Sequence, residues 1–219
     1  MSRKYRIIII FSTALIGFAA YYFWYYRTVN ICEVPVIARM HNHEFVNKTI
    51  AILPMGKTQK SDITDLQIFF KELYGIKVEI LSPIVIPEKA FLQERKQYNA
   101  TTIKDFLIPR RGKYFRLIGI VDEDITIPQF RFLFGLASLT NGVMTVSLAR
   151  LGDNKKNPQI FRSRLFKIIL HEYGHTFGLG HCKGEGSCLM QFINSLDDLD
   201  NFDCGFCWGC NNRVNTQWD

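Results

Sequence analysis

The pattern of hydrophobic and polar residues divides this chain into one long apolar segment and a longer region of mixed character. Residues 7–26 form an uninterrupted run of twenty uncharged positions. As a helix, this run would span the ~30 Å hydrocarbon layer of a membrane. Beyond residue 48, segments with helical spacing of apolar residues alternate with short β-branched runs. The pattern therefore predicts one membrane span followed by a domain that mixes helices and strands.

Three segments of the domain have helical character. The first, 62–74, has large apolar residues at spacings of three and four and is followed by Gly75, a residue that commonly ends helices. The second is predicted to run over 93–107. The third begins at Pro158, because proline is favoured at the first helical position, and it continues to His175.

Several short runs predict strands between these helices. They cover residues 49–53, 78–81, 84–86, 115–121 and 142–148. The fourth run contains a single charge, Arg116, as a largely buried strand would. In the last run Thr145 and Ser147 are predicted to point outward, and this strand is expected to be an edge that pairs with an extended peptide. The fold class predicted by this order is α+β.

Composition supports one globular domain, and most of the net charge lies in the residues that flank the apolar segment. The chain has 219 residues, of which 47% are hydrophobic, and its formal net charge is +7. Residues 1–29 contain four basic residues and no acid, so the remaining residues account for only +3. The excess of basic residues is therefore typical of the flanks of a membrane span, and we expect no nucleic-acid partner.

The charges around residues 7–26 predict the orientation of the anchor. Three basic residues precede it, within a short cytoplasmic end at 1–6, and only Arg27 follows closely. The positive-inside rule then places the N-terminus in the cytoplasm and residues 49–219, reached through a linker at 27–48, on the other side. The alternative is a signal peptide, cleaved after a small residue such as Ala19, and a secreted domain.

One motif predicts the chemistry. Residues 171–181 read H-E-x-x-H-x-x-G-x-x-H. His171 and His175 are four positions apart and therefore share one helix face, where both can reach a single Zn²⁺. Glu172 leaves the helix at another angle and can act as general base toward the attacking water. Gly178 allows the chain to turn and bring His181 round as a third ligand, which leaves the fourth position open.

A second group of residues follows the motif and carries a family resemblance. Cys182, Cys188 and Met190 come first, and C-x-x-C pairs follow among Cys204, Cys207 and Cys210. This arrangement resembles the archaemetzincins, a branch of the metzincin zinc peptidases. The family pattern has four residues between its first two cysteines and seventeen from the methionine to the distal pair. Here the first spacing is five, and sixteen residues separate Met190 from Cys207.

Further segments support the resemblance, which covers about residues 49–214. They are Ile50–Pro54, Gln97–Ala100, Gly119–Asp124, Phe132–Ala137 and Val146–Leu151. The resemblance implies a metzincin-type zincin domain over 49–219, with a mixed twisted sheet, an active-site helix and a small zinc-stapled C-terminal part. It also implies that Met190 belongs to a Met-turn beneath the histidines.

The resemblance implies two zinc ions per chain. Beside the catalytic ion, four thiolates would form a closed and therefore structural site. The four cysteines that fit the family ending best are Cys182, Cys188, Cys207 and Cys210. This choice leaves Cys204 as a spare thiol, with the alternative that Cys204 replaces Cys207 or Cys210. If the domain is exported, disulfide formation competes with zinc binding.

The function expected from these residues is that of a zinc metallopeptidase. It would hydrolyse peptide bonds with a zinc-activated water and Glu172 as general base, on peptide or protein substrates. The alternative is a catalytically silent zinc-binding module in a membrane-associated assembly. The presence of Glu172 argues against that alternative, because a structural zinc needs no general base. The sequence leaves open the cleavage specificity, the choice between endo- and aminopeptidase, and the oligomeric state.

Overall fold

The computed structural model describes residues 48–184 and 186–216, which all belong to one compact unit of the chain, Val34–Asp219. The predicted anchor at 7–26 and the linker as far as residue 47 lie outside the described residues. Within the described ranges, no helix is both long enough and apolar enough to cross a membrane. The membrane span therefore stays a prediction from the sequence.

The described residues form two sheets and five α-helices. The strands are β1 (Thr49–Met55), β2 (Lys77–Ile80), β3 (Phe91–Leu92), β4 (Gln97–Asn99), β5 (Arg116–Val121), β6 (Ile125–Thr126), β7 (Gly135–Ala137) and β8 (Val143–Ser147). The helices are α1 (Asp65–Tyr74), α2 (Ala100–Leu107), α3 (Pro158–His175), α4 (Leu196–Asn201) and α5 (Trp208–Thr216). Short 3-10 turns lie at Lys60–Asp62, Glu88–Ala90 and Ile108–Arg110. The predicted mixture of helix and strand is confirmed.

The main sheet has the strand order β2-β1-β5-β8-β7. Its first four strands run parallel, and β7 runs antiparallel to β8 at one edge. Every residue of β5 is buried, as the nearly continuous apolar run predicted. A small second sheet has the order β3-β4-β6.

Helices cover both faces of the main sheet. On one face, Ile103 and Leu107 of α2 belong to the same core cluster as Leu53 and Leu117 of the sheet. On the other, α1 and α3 pack on each other through Phe69 and Phe166, whose rings stack with centroids 4.2 Å apart. Burial on both faces explains why β1 and β5 lack a polar side.

The first and third predicted helices are confirmed, with small changes at their ends. Helix α1 starts at Asp65, after the 3-10 turn, and ends at Gly75 in the left-handed conformation with φ +65°. Helix α3 begins at Pro158, which follows the N-cap residue Asn157. The predicted strand at 84–86 is wrong, because only Ile84 makes an isolated bridge, to Met55.

The helix predicted over 93–107 is wrong in its first half. Residues before Ala100 form the β3–β4 turn, in which Lys96 has φ +51°, and then strand β4. Helix α2 starts only after Asn99, whose side chain accepts a hydrogen bond from the Thr102 amide. This N-cap satisfies an amide that has no partner within the helix, so it sets the start that periodicity alone placed too early.

The predicted edge strand is also wrong. Strand β8 lies between β5 and β7, so its backbone is paired on both sides. Thr145 and Ser147, predicted to point outward, are both buried. The Ser147 hydroxyl donates to the Glu123 carbonyl, which satisfies it within the core. The edge strand beside β8 is β7, whose three residues are too few to show an alternation of apolar and polar positions in the sequence.

Candidate metal centres and catalytic cleft

The last turn of α3 brings two imidazoles together. The Nε2 atoms of His171 and His175 lie 3.1 Å apart. Gly178, with φ +76°, turns the chain after the helix. His181 then lies beside the pair, with its ring centroid 5.4 Å from that of His171 and 4.9 Å from that of His175. One ligand atom from each of the three rings lies within 4.8 Å of the other two.

Backbone carbonyls orient two of these rings. Nδ1 of His171 is 2.7 Å from the Leu189 carbonyl oxygen, and Nδ1 of His175 is 2.6 Å from that of Leu179. Because a carbonyl only accepts, each Nδ1 carries the proton and each Nε2 is left as an acceptor. Hydrogen bonds of this kind, from the ring nitrogen that does not face the metal, are typical of metal-binding histidines.

The histidines are neutral and therefore suited to bind a metal. Burial, followed by the charge of His175, lowers the pKa of His171 to about 3. Burial also lowers the pKa of His175 and of His181. Two nitrogens bound tetrahedrally to zinc at ~2.05 Å would be roughly 3.3 Å apart. The observed 3.1 Å between Nε2 atoms is close to that spacing, so the donor set fits a zinc ion.

Glu172 lies beside the histidines in a closed environment. Its side chain is buried, and the Ala137 amide of β7 donates to the carboxylate. Burial raises the pKa of Glu172 to about 8, while the Ala137 hydrogen bond opposes that shift. Its second oxygen, Oε2, is buried without a hydrogen-bond partner. A carboxyl group with this pKa is largely protonated at neutral pH, and a cation held by the three imidazoles beside it would favour the ionised form, whose unsatisfied oxygen can accept a proton.

Met190 packs directly beneath the histidine-bearing helix. It is fully buried, and a Cβ placed on Gly174 would overlap its sulfur. Gly174 lies between His171 and His175 in the chain, so the methionine approaches the helix on the turn that carries both rings. The Met190 carbonyl also accepts from the Cys182 amide at 2.7 Å, which ties this segment to the one that carries His181.

Four cysteines form a second cluster. The sulfurs of Cys182, Cys188, Cys207 and Cys210 all lie within 4.8 Å of one another. Those of Cys182 and Cys207 are 3.8 Å apart. A tetrahedral zinc with bonds of ~2.3 Å would hold its sulfurs roughly 3.8 Å apart, so these donors also fit the metal.

The tendency to lose the thiol proton differs among Cys188, Cys207 and Cys210. Burial raises the pKa of Cys188 to about 11 and raises that of Cys210. Burial acts in the same direction on Cys207, but hydrogen bonds from the Cys210 amide and neighbouring thiols lower its pKa to about 7. Cys204 lies outside the cluster and is disulfide-bonded. The interpretation of Cys204 as a spare thiol is therefore wrong.

An apolar cleft runs between β7 and the histidines. Its cavity of about 270 Å³ is lined by His171, Glu172 and His175 together with aromatic and aliphatic side chains. Phe130 and Phe192 stand at its rim with ring centroids 6.1 Å apart, and Phe192 also contacts the His181 ring at 5.1 Å. The cleft therefore offers a reacting group at one side and apolar surface at the other.

Strand β7 turns backbone groups toward this cleft, and one of them, the Ala137 amide, donates to Glu172. The amides of Ser147 and Ser138 donate to the carbonyls of Phe134 and Val143 across the β7–β8 ladder. Since hydrogen-bonded and non-hydrogen-bonded pairs alternate in such a ladder, the backbone groups of Gly135 and Ala137 point away from β8.

Gly135 and Ala137 were missed from the sequence. The available signal was Gly135 within the apolar run Phe132–Ala137, because a glycine inside a strand often marks a close backbone approach. The seven predicted metal ligands, by contrast, fall into the two clusters described above, Glu172 lines the cleft, and Met190 is buried beneath the histidine-bearing helix.

Comparisons with known proteins agree with this architecture. Residues 46–216 match the model of Peptidase family M54. An archaemetzincin of Methanopyrus kandleri is 39% identical over 125 residues, which cover 57% of this chain and 70% of the relative. An archaemetzincin of Saccharolobus solfataricus is 35% identical over 148 residues, or 64% of this chain and 79% of the relative.

Solved structures share the fold. The crystal structure of the Methanopyrus kandleri archaemetzincin superposes with a TM-score of 0.69 at 30% identity and covers 79% of this chain and 96% of its own. That of Archaeoglobus fulgidus, which was determined as a complex with malonate, gives 0.68 at 28% identity and covers 75% and 99%.

Proposed function

The chain belongs to peptidase family M54, the archaemetzincins, and is a zinc-dependent metallopeptidase that acts on peptides or proteins; on this premise we propose the role of each site residue. His171, His175 and His181 hold the catalytic zinc, the first two through Nε2. Support comes from the 3.1 Å separation of these nitrogens and from the carbonyls that fix each Nδ1 as a donor. A zinc ion held there supplies Lewis-acid chemistry to the substrate carbonyl and to water.

Glu172 is the general base in this proposal. Oε2 has no hydrogen-bond partner, so it accepts the proton of the attacking water. The same group then returns the proton to the leaving nitrogen. The Ala137 amide holds the carboxylate in place and favours its ionised form, which is the form a base requires.

The substrate lies extended along β7. The outward amide of Gly135 and the outward carbonyls of Gly135 and Ala137 pair with main-chain groups of the peptide, which gives recognition that tolerates different sequences. Aliphatic and aromatic residues, among them Ile168 and Phe192, line the cleft beside the histidines and receive an apolar side chain of the substrate. This arrangement replaces the expectation that β8 would be the pairing strand.

The four cysteines Cys182, Cys188, Cys207 and Cys210 hold a second zinc, which is structural. Four sulfur donors leave no open position for a substrate. Since Cys182 follows His181 directly, the cluster anchors the segment that carries the third imidazole. The 3.8 Å between the Cys182 and Cys207 sulfurs supports this assignment and hence a total of two zinc ions per chain.

The orphaned Oε2 of Glu172 is the single observation that carries the catalytic proposal. A silent zinc-binding module would gain nothing from a buried carboxylate that costs desolvation energy and leaves an oxygen unsatisfied. An active peptidase uses that oxygen in the reaction. The geometry therefore favours catalysis over a purely structural role.

The test is peptide cleavage by the full-length protein, followed by mass spectrometry on a peptide library. The wild type should cleave, and Glu172→Gln should keep its metal content but lose activity by about 10²–10⁴-fold. The matched control is Glu94→Gln, which alters an exposed acid in the β3–β4 turn and should leave cleavage unchanged. Full activity of Glu172→Gln would refute the proposed role.

A further inference from the structure

A second cavity adjoins the catalytic cleft and is lined by two arginines. It has a volume of about 440 Å³ and is bordered by Arg111, Arg116, the loop at 139–142 and the turn at 176–178. Leu139 lines both this cavity and the catalytic cleft, so the two spaces are neighbours. The loop follows Ser138, directly after the Ala137 end of β7. The cavity thus lies where a peptide extended along β7 would continue.

The two arginine side chains converge over one glycine. Gly142 has φ +63°, and a Cβ placed on it would lie 3.2 Å from Cδ of Arg116 and 3.4 Å from Cδ of Arg111. A side chain at residue 142 would therefore crowd the Arg116 stem and touch that of Arg111. The guanidinium of Arg116 is further held between two rings, 4.0 Å from the centroid of Phe115 and 4.6 Å from that of Phe177.

The hydrogen bonds of these guanidinium groups all go to neutral acceptors. Arg116 donates from Nε to the Thr176 hydroxyl at 2.8 Å, from Nη2 to the Thr176 carbonyl at 3.3 Å and from Nη1 to the Phe115 carbonyl at 2.9 Å. Arg111 donates from Nη1 to the Tyr114 carbonyl at 2.8 Å. Since each guanidinium has five N–H donors, both retain donors for a ligand.

No carboxylate balances this charge within the part of the chain that the structure describes. The ion pairs there involve neither Arg111 nor Arg116, and the residues lining the cavity include no acid. Arg116 is only 7% exposed. Burial lowers the pKa of Arg116; the neighbouring Tyr173 opposes this shift, and the charge of Arg111 adds to it. A buried cation in this situation is stabilised by an incoming anion.

We propose that the Arg111–Arg116 cavity is an anion subsite that receives a carboxylate of the peptide substrate, beyond the Ala137 end of β7. The inference rests on the proposed binding of an extended peptide along that strand. The carboxylate has two possible sources with the same chemistry: an Asp or Glu side chain of the substrate, or its C-terminal carboxylate. A planar carboxylate suits the fork of N–H donors that arginine presents.

The test measures peptide binding rather than turnover. Full-length Glu172→Gln protein is titrated with fluorescent peptides of three kinds: neutral and amidated, amidated with one Glu scanned along the sequence, and neutral with a free C-terminal carboxylate. One of the two acidic kinds should bind about 10-fold tighter than the neutral amide, as expected for charge-assisted hydrogen bonds. Which kind gains affinity identifies the source of the carboxylate.

The variants assign this gain to the cavity. Arg111→Gln, at a half-buried position, should abolish most of it, and Arg111→Lys should restore part of it. The matched control is Arg110→Gln, because Arg110 is adjacent in sequence but packs on the Phe106 ring outside the cavity. Equal affinity for all three kinds of peptide, or a gain that survives in Arg111→Gln, would overturn the proposal.

Failure of the subsite can be told apart from failure of the proposed function. If the wild type cleaves peptides but shows no preference for a carboxylate in binding, the subsite is wrong and the catalytic proposal stands. If acidic peptides bind in an Arg111-dependent manner and none is cleaved by the wild type, the subsite stands and the catalytic proposal fails. If no peptide binds and the wild type cleaves none, both are refuted.

Discussion

Gly135 on strand β7 and Glu172 on helix α3 are in such close contact that a Cβ on Gly135 would lie 2.6 Å from Oε1 of Glu172. The carboxylate can approach the edge strand this closely only because residue 135 has no side chain. The same strand fixes the carboxylate from its other end, through the Ala137 amide. The peptide-binding edge and the proton-accepting group thus form one unit.

This contact predicts the effect of Gly135→Ala. The added methyl group must displace the Glu172 side chain, so the activity should fall by about 10²–10⁴, the range that a general base contributes. Zinc content should be unchanged, because the three atoms nearest the added methyl group all belong to Glu172 and none to a histidine. Peptide cleavage and metal analysis on the same samples check this. Gly209→Ala is the control, since no atom lies within 4 Å of a Cβ there. Wild-type activity of Gly135→Ala would show that Glu172 is not positioned by this strand.

The packing of Met190 on Gly174 predicts a stability effect that depends on size. Met190→Ala removes a fully buried side chain and should lower the free energy of unfolding by about 2–5 kcal/mol. Met190→Leu keeps most of the volume and should cost less than about 1.5 kcal/mol. Urea unfolding of both variants measures the difference. Equal losses would contradict a packing role for the methionine.

The cysteine assignment predicts a distinct metal stoichiometry for each variant. The wild type should contain about two zinc equivalents, and Cys188→Ser should contain about one and unfold more easily, because structural zinc contributes to folding. His171→Ala combined with His175→Ala should also contain about one, but with its cysteine site intact. Cys204→Ser is the control for metal content alone: it removes a disulfide but should keep both ions, since Cys204 lies outside the cluster. Loss of a zinc in Cys204→Ser, but not in Cys207→Ser with Cys210→Ser, would reverse the assignment.

The lowered histidine pKa values predict a shallow pH dependence of zinc binding. Three ordinary imidazoles, with pKa near 6.5, would weaken binding by up to about 10³ per pH unit below that value. Here the folded-state pKa values are lower, about 3 for His171, so protons compete only in more acidic solution. Between pH 6.5 and 5.5 the affinity of the histidine site should fall by far less than 10³. Competition titrations with a chelator measure this, and a thousandfold loss over that interval would contradict it.

The uncharged run predicts a topology that can be measured in cells. We propose that residues 7–26 stay in the mature protein as a single span, with the catalytic domain outside the cytoplasm. Carbonate extraction should leave the protein in the membrane pellet, and protease added to intact cells should digest the domain. A soluble form that begins near Ala20 would indicate a cleaved signal instead. Complete protection from protease would indicate the opposite orientation.

Local patterns in the sequence were sufficient for the elements that local interactions define. Helix α1 ends at Gly75 and helix α3 begins at Pro158 because backbone conformational preferences act within a few residues. The nearly continuous apolar run of β5 predicted a strand buried on both faces for a similar reason. The H-E-x-x-H spacing likewise predicted that His171 and His175 share a helix face, since the helical repeat alone dictates it.

Predictions failed where the deciding interaction is distant in sequence or depends on capping. Helical periodicity over 93–107 did not reveal that Gln97 and Tyr98 pair with other strands before Asn99 caps α2. The polar residues of β8 suggested an exposed strand, whereas Thr145 is buried because β7 and the helices cover it. Periodicity describes which residues share a face, but not what lies against that face.

The sequence by itself determined the reacting groups of this protein: three histidines and a glutamate at a spacing set by helix geometry, and cysteines of a type and number suited to zinc. Only the tertiary structure decided which strand is the open edge, that Gly135 and Ala137 enclose Glu172, and that Arg111 and Arg116 converge beside the cleft. The physical reason is that a helix places residues by local repeat. In contrast, segments that meet only when the chain is folded create the edge strand, the buried carboxylate and the pair of uncompensated charges.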